Sequence, residues 1–166
     1  MSLPPTPSQT VGPFFGVGLP YDGSENVIAP GSPGAIRIEG QVLDGHGDPV
    51  PDALIEIWKP DAGFGRCRSD PEGAFHFVVR KPAVEASADG IREAPYFNVT
   101  VFARGLLRHL ITRLYFPDEA EANAKDPVLQ SIEDERRSTL IARAEGNVLH
   151  FDIRLQGDRE TVFFAI

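Results

Sequence analysis

The chain has 166 residues, 42% of them hydrophobic, with 24 acidic against 16 basic side chains and a net charge of −8. That length suits one domain with a sizeable core, whereas the acidity, and the lack of any Lys/Arg run longer than Arg136-Arg137, argue against a nucleic-acid partner. A lone Cys67 cannot close an internal disulfide and is expected as a buried structural thiol; no stretch approaches the roughly eighteen apolar residues of a membrane span, and Met1-Ser-Leu-Pro-Pro-Thr-Pro has no leader character, so a cytoplasmic protein is expected.

Residues 1–34 are rich in Pro, Gly, Ser and Thr, with one aromatic pair, Phe14-Phe15. Such a segment buries little against itself, and the phenylalanines favour an arm laid across another surface. From Ile36 to Val79 the pattern changes. Runs over 36–44, 50–58 and 69–79 alternate apolar and polar residues at period two (Ile36, Ile38; Leu54, Glu56, Trp58; Phe75, Phe77, Val79), and Gly, Pro and Asp bound each run. This predicts a β-meander whose apolar face needs a second sheet, hence an all-β, antiparallel β-sandwich in a single domain.

Lys81 to Glu93 reads as a polar loop around Asp89-Gly90, followed by a strand over 95–102 and its hairpin partner over 108–116. Residues 117–124 predict a short helix with acids in its first turn. Asp126-Pro127 predicts the N-cap and first residue of a second short helix through Ile132. Residues 138–143 and 148–155 close the fold as a hairpin over Glu145-Gly-Asn147.

The chemistry-bearing residues are sparse. His46, His76, His109 and His150 have no metal-ligand spacing and read as surface or satisfied core groups, no Gly-x-Ser-x-Gly is present, and Cys67 has no histidine beside it in sequence. Asp118, Glu119 and Glu121 read as a solvated helix start, and 133–135 as a loop. Arg113 stands out. It shares a strand face with Ile111 and Tyr115, and a guanidinium held there needs a carboxylate, supplied either by an internal acid or by an anionic ligand. Tyr96 and Asn98 share a face, where a structural hydrogen bond is the default.

Thr6-Pro-Ser-Gln-Thr-Val-Gly-Pro-Phe14, Gly40-Gln-Val-Leu-Asp44 through Ile55-Glu-Ile-Trp58, Gly65-Arg66 with Asp70 and Gly73, Ala94-Pro95, Phe102-Ala-Arg-Gly105, Thr112-Arg-Leu-Tyr-Phe116 and Gln156 to Phe164 together resemble the intradiol ring-cleaving dioxygenases, specifically their alpha-chain branch. The resemblance spans nearly the whole chain and implies a β-sandwich. Catalytic members hold one ferric ion with two tyrosines and a His-x-His strand motif. Here Tyr96 and Asn98 stand at the His-x-His positions, and no tyrosine occurs in 81–93 or between Trp58 and Gly65. The resemblance therefore implies no metal and no catalytic residue in this chain, with Fe(3+) carried by a homologous beta chain in a hetero-oligomer of alpha-beta units. It also implies that Thr10, Gly12, Pro13, Phe14 and Arg113 bind substrate by lining the partner's pocket, where a carboxylated catechol would meet Arg113. Alpha chains often carry tyrosine where Phe14 stands, and relatives are longer in the arm and after Trp58.

Two rival readings use the same strands. Gly-x-Val-x-Asp followed by Pro-x-Ala-x-Ile also occurs in transthyretin-like, non-enzymatic β-sandwich binding modules; the long arm weighs against one. A transthyretin-like hydrolase would need His/Arg clusters and a Tyr-Arg-Gly-Ser-like end, whereas this chain finishes Val162-Phe-Phe-Ala-Ile166.

Overall fold

The computed structural model describes residues 4–84 and 92–165. The described strands are β1 (Ala35–Leu43), β2 (Leu54–Lys59), β3 (Gly63–Arg68), β4 (Ala74–Arg80), β5 (Tyr96–Phe102), β6 (Leu110–Tyr115), β7 (Arg143–Glu145), β8 (Val148–His150) and β9 (Ile153–Arg154). They form two sheets, ordered β4-β1-β8-β7 with β9 also beside β1, and β3-β2-β5-β6. The sandwich is as the alternation predicts. Ile38 and Val42 of β1 and Phe75, Phe77 and Val79 of β4 meet Ile55 and Ile57 of β2, Phe97, Val99 and Val101 of β5 and Leu114 of β6 in one buried cluster. Each such side chain removed from water contributes roughly 1.5–3 kcal/mol of gross transfer energy.

Several details differ from the sequence reading. Between Trp58 and Ser69 a Pro/Gly break was expected, yet Gly63–Arg68 is a strand paired with β2 throughout. Its run Gly-Phe-Gly-Arg-Cys-Arg has two glycines and two arginines on an edge, and so carries no apolar alternation. Leu54, Glu56 and Trp58 share one face of β2, but the core face is the other, Ile55 and Ile57. Asp70 to Gly73 is a turn before β4, with Asp70 Oδ1 accepting from Glu72 N and Ala74 N and Gly73 at φ +73°. A Cβ on Gly73 would lie 2.7 Å from Val42 O, so both its dihedral and its surroundings require glycine.

The closing hairpin is present over 143–150, but Ser138–Leu140 is a 3₁₀ turn, and the last strand breaks at Phe151 and Asp152 before β9. β8 and β9 run parallel to β1, a direction that period-two patterning does not encode. The two predicted helices are α2 (Ala120–Asn123) and α3 (Pro127–Gln130); one-turn helices α1 (Phe15–Gly18) and α4 (Asp134–Arg137) add to them, the latter where a loop was expected. Most of the predicted 81–93 loop lies outside the described residues.

Both edges of the β3-β2-β5-β6 sheet carry a neighbouring segment of the chain that takes up part of their outward hydrogen-bonding groups. The arm follows β3: Arg66 N donates to Ser24 O (2.8 Å), Ser24 Oγ donates to Arg66 O (2.8 Å) and Arg66 Nη1 donates to Leu19 O (2.9 Å). The C-terminal tail follows β6, with Phe164 N on Ile111 O (2.8 Å) and Thr112 Oγ1 on Val162 O (2.7 Å).

Candidate functional site

The outward face of this sheet carries the groups singled out in the sequence. Antiparallel register sets Phe64, Trp58, Asn98 and Arg113 in one row across β3, β2, β5 and β6, and sets Tyr96 opposite Tyr115. The segment from α2 to the 3₁₀ turn lies over the Tyr96/Tyr115 end. There Ala94, Tyr96, Tyr115, Leu129, Leu140 and Val162 form a second buried cluster, while Trp58 and Phe64 remain exposed. The site is the boundary between the covered and open halves.

At that boundary Arg113 is held on three sides. Its Nη1 donates to Glu93 Oε1 (2.9 Å) and to the Tyr115 hydroxyl (3.1 Å), and its guanidinium carbon stands 3.8 Å from the centroid of the Tyr96 ring. The second Glu93 oxygen accepts from the Tyr96 hydroxyl (3.0 Å). The Tyr115 hydroxyl donates to Asp126 Oδ1 (3.1 Å), and Asp126 also accepts from Val128 N and Leu129 N as the N-cap of α3 and from Ala94 N at the entrance to β5. The ammonium of buried Lys59 stands 3.7 Å from the same Tyr96 centroid. Burial opposes ionisation of Glu93, but the Arg113 hydrogen bond and charge, with Tyr96 and Lys59, outweigh it and hold the carboxyl below its usual range. Burial likewise pushes the Tyr115 phenol well above an ordinary tyrosine, only partly offset by Arg113.

These residues do not fit a ferric ion. Where the resemblance would put two imidazoles stand a tyrosine whose hydroxyl donates to Glu93 and Asn98, a carboxamide. A trivalent cation there would stand beside the ammonium and guanidinium near the Tyr96 ring, where one carboxylate, Glu93, is already paired with Arg113. Among the described residues no group of three or more His, Cys, Asp or Glu is placed to hold a metal. His76 and His150 instead flank Glu39 in register on the other sheet, and the His109 ring lies 5.4 Å from that of Phe102.

The remaining expected site residues lie along the arm. Thr10 Oγ1 accepts from Gly105 N in the β5–β6 turn (2.9 Å), Gly12 O accepts from Phe15 N (3.2 Å), and Pro13 and Phe14 are exposed, Phe14 at 80%. Among the described residues no contact joins these arm residues to Arg113: Thr10 is tied to the β5–β6 turn, whereas Arg113 stands in mid-β6 and is held by Glu93, Tyr96 and Tyr115. Glu93 and Lys59 escaped the sequence reading. Glu93 lies in a predicted loop twenty positions from its arginine, and Lys59 ends a strand with nothing in its period to mark a cation–π contact.

No family model matches the chain. Among curated proteins it is 42% identical to the protocatechuate 3,4-dioxygenase alpha chain of Pseudomonas putida, over 98% of this chain and 96% of that one. It is 39% identical to the corresponding alpha chain of Burkholderia cepacia, over 99% of each. A weaker likeness, 29% over 84% of this chain and 72% of the other, is to the Burkholderia cepacia protocatechuate 3,4-dioxygenase beta chain. Among solved structures, the dioxygenase domain of a dioxygenase–carbohydrate-binding fusion from Streptomyces sp. SirexAA-E superposes with a TM-score of 0.59 at 22% identity, over 93% of this chain and 99% of that one; it supports the fold.

Proposed function

Because the chain belongs to the protocatechuate 3,4-dioxygenase alpha chains of the intradiol ring-cleaving family, we propose that it is the non-iron-binding subunit of such an enzyme. The enzyme opens protocatechuate between its two hydroxyl-bearing carbons, inserting both atoms of O2 to give 3-carboxy-cis,cis-muconate in aromatic catabolism. The ferric ion belongs to a homologous beta chain. The observation that supports this division of labour is the set of polar and cation–π contacts among Tyr96, Lys59, Arg113 and Glu93, at the strand positions where the resemblance would put His-x-His. This chain's contribution is to support and line the partner's pocket. Thr10, Gly12, Pro13 and Phe14 supply one wall and Arg113 meets the substrate carboxylate, the two being bridged by a partner lying across the exposed Trp58 and Phe64.

Co-expression with the homologous beta chain tests the reading: the complex should consume O2 with protocatechuate. Elemental analysis of the alpha chain purified alone should find no stoichiometric iron and no tyrosinate-to-iron colour. One iron per chain would sink the proposal.

The arm gives a second test. Phe14 has no cover of its own, whereas Phe15 is half-buried, so docking would bury mainly Phe14, for roughly 1.5–3 kcal/mol of gross transfer energy. Deleting residues 1–15 removes that surface and the Thr10–Gly105 bond, but leaves the Arg66 contacts that fasten the arm to β3. Association with the beta chain should weaken about tenfold or more, at 1.4 kcal/mol per decade, with little change in Tm. Equal association of truncated and full-length chains in sedimentation would reject the role of the arm.

A further inference from the structure

We propose that Glu93 is a positioning residue for substrate recognition, holding Arg113 so that one edge of its guanidinium is presented to the carboxylate of the aromatic acid. This rests on the reading that Arg113 meets that carboxylate, and extends it to a second residue. Among the described residues the side-chain hydrogen bonds of Arg113 all use Nη1, toward Glu93 Oε1 and Tyr115, and one ring face of Tyr96 covers the guanidinium. Among the described residues Nε and Nη2 take no hydrogen-bond partner, and the side chain keeps 18% of its exposure. The Nε–Nη2 edge carries two parallel N–H groups, the fork that matches a carboxylate bidentately.

Glu93 is suited to set that edge. Its two oxygens are divided between Arg113 and the Tyr96 hydroxyl, so the carboxylate fixes the guanidinium to the ring on which it stacks. The charges agree with the task. Among the described residues two cations, Lys59 and Arg113, and one carboxylate, Glu93, stand around the Tyr96 ring, an excess of one positive charge that suits a monoanionic ligand. Asp126, beyond Tyr115, is already engaged by three backbone N–H groups and that hydroxyl. Without Glu93 the guanidinium would keep its charge, the Tyr115 hydroxyl and the Tyr96 ring, but lose the one charged contact among the three that fix its rotation about the stem.

The test uses the assembled alpha–beta enzyme with Glu93→Ala and Glu93→Gln, each alone and combined with Arg113→Ala, assayed on protocatechuate and on catechol, which lacks the carboxylate. Iron content and Tm are checked for each variant. Glu93→Ala should raise KM for protocatechuate about five- to tenfold with kcat changed less than about twofold, the signature of lost binding that is equal in ground and transition states. Catechol should be affected less than about twofold, and Glu93→Gln, which keeps an acceptor for Nη1, should recover part of the loss. In the Arg113→Ala background Glu93→Ala should add nothing, because a residue acting through Arg113 has no effect once it is gone.

Parallel losses on both substrates, or a Glu93 effect that survives in the Arg113→Ala background, would overturn the inference while leaving the Arg113 reading intact. Failure of Arg113→Ala itself to distinguish the two substrates would overturn both. Should Glu93→Ala fail to assemble, Glu93→Gln decides: no selective rise in KM for protocatechuate overturns the positioning role.

Discussion

Replacing Asp126 by alanine should destabilise the protein by about 3 kcal/mol or more, well above the ordinary cost of a lost helix cap, which is about 1 kcal/mol. The excess follows from what else the carboxylate does. It is fully buried and accepts from Val128 N and Leu129 N at the start of α3, from Ala94 N before β5, and from the Tyr115 hydroxyl. Truncation leaves these donors without an acceptor, and a buried unsatisfied donor costs about 1–3 kcal/mol. Asp126→Asn keeps the oxygen that caps the helix but turns an N–H2 group toward Ala94 N, so its loss should be intermediate. At about 2–4 °C per kcal/mol for a chain of this size, Asp126→Ala should lower Tm by about 6–12 °C. Thermal unfolding followed by circular dichroism measures both variants. A loss no greater than that of a simple cap would show that the tie from α3 to β5 and β6 contributes little.

Asp126 also marks how far the sequence could be read. Asp-Pro before a short apolar run is a local capping signal, and such signals survive translation into structure: the cap, the short helix and strands β1, β4 and β5 appear where the residues place them. The further partners of Asp126 come from 32 positions upstream at Ala94 and 11 upstream at Tyr115, distances at which composition and period carry nothing. Arg113 follows the same rule. Its strand face and its need for a carboxylate were legible, whereas the identity of the acid, Glu93, was not, because it depends on where a loop returns to the sheet. β3 was missed for the opposite reason: it is an edge strand held by β2 and by the arm, so its own side chains need not alternate. The roles proposed for the arm residues, and the comparison of Tyr96 and Asn98 with a His-x-His motif, rest on resemblance to a family and not on any periodicity.

Arg113→Ala in the assembled enzyme should lower kcat/KM for protocatechuate tenfold or more and affect catechol much less. The two partners considered for this guanidinium, an internal acid and an anionic ligand, are compatible in the geometry, since Glu93 engages Nη1 while the Nε–Nη2 edge has no hydrogen-bond partner among the described residues. A charge-assisted hydrogen bond is typically worth about 1.5–3 kcal/mol, which at about 1.4 kcal/mol per decade corresponds to about ten- to a hundredfold. Arg113→Lys should recover little of this, because an ammonium provides a point charge without the planar fork and stacks poorly on the Tyr96 ring. The substitution also leaves Glu93 without its guanidinium, so some loss of stability is expected whatever the role in recognition, and Tm and iron content must be measured alongside the kinetics. Selectivity separates the two effects. A purely structural ion pair, once broken, would impair both substrates in parallel as the assembly loosens, whereas a recognition residue costs the carboxylated substrate far more than the uncharged one. Parallel loss would reject the binding role and leave the Arg113–Glu93 pair as an internal strut between β6 and the entrance to β5.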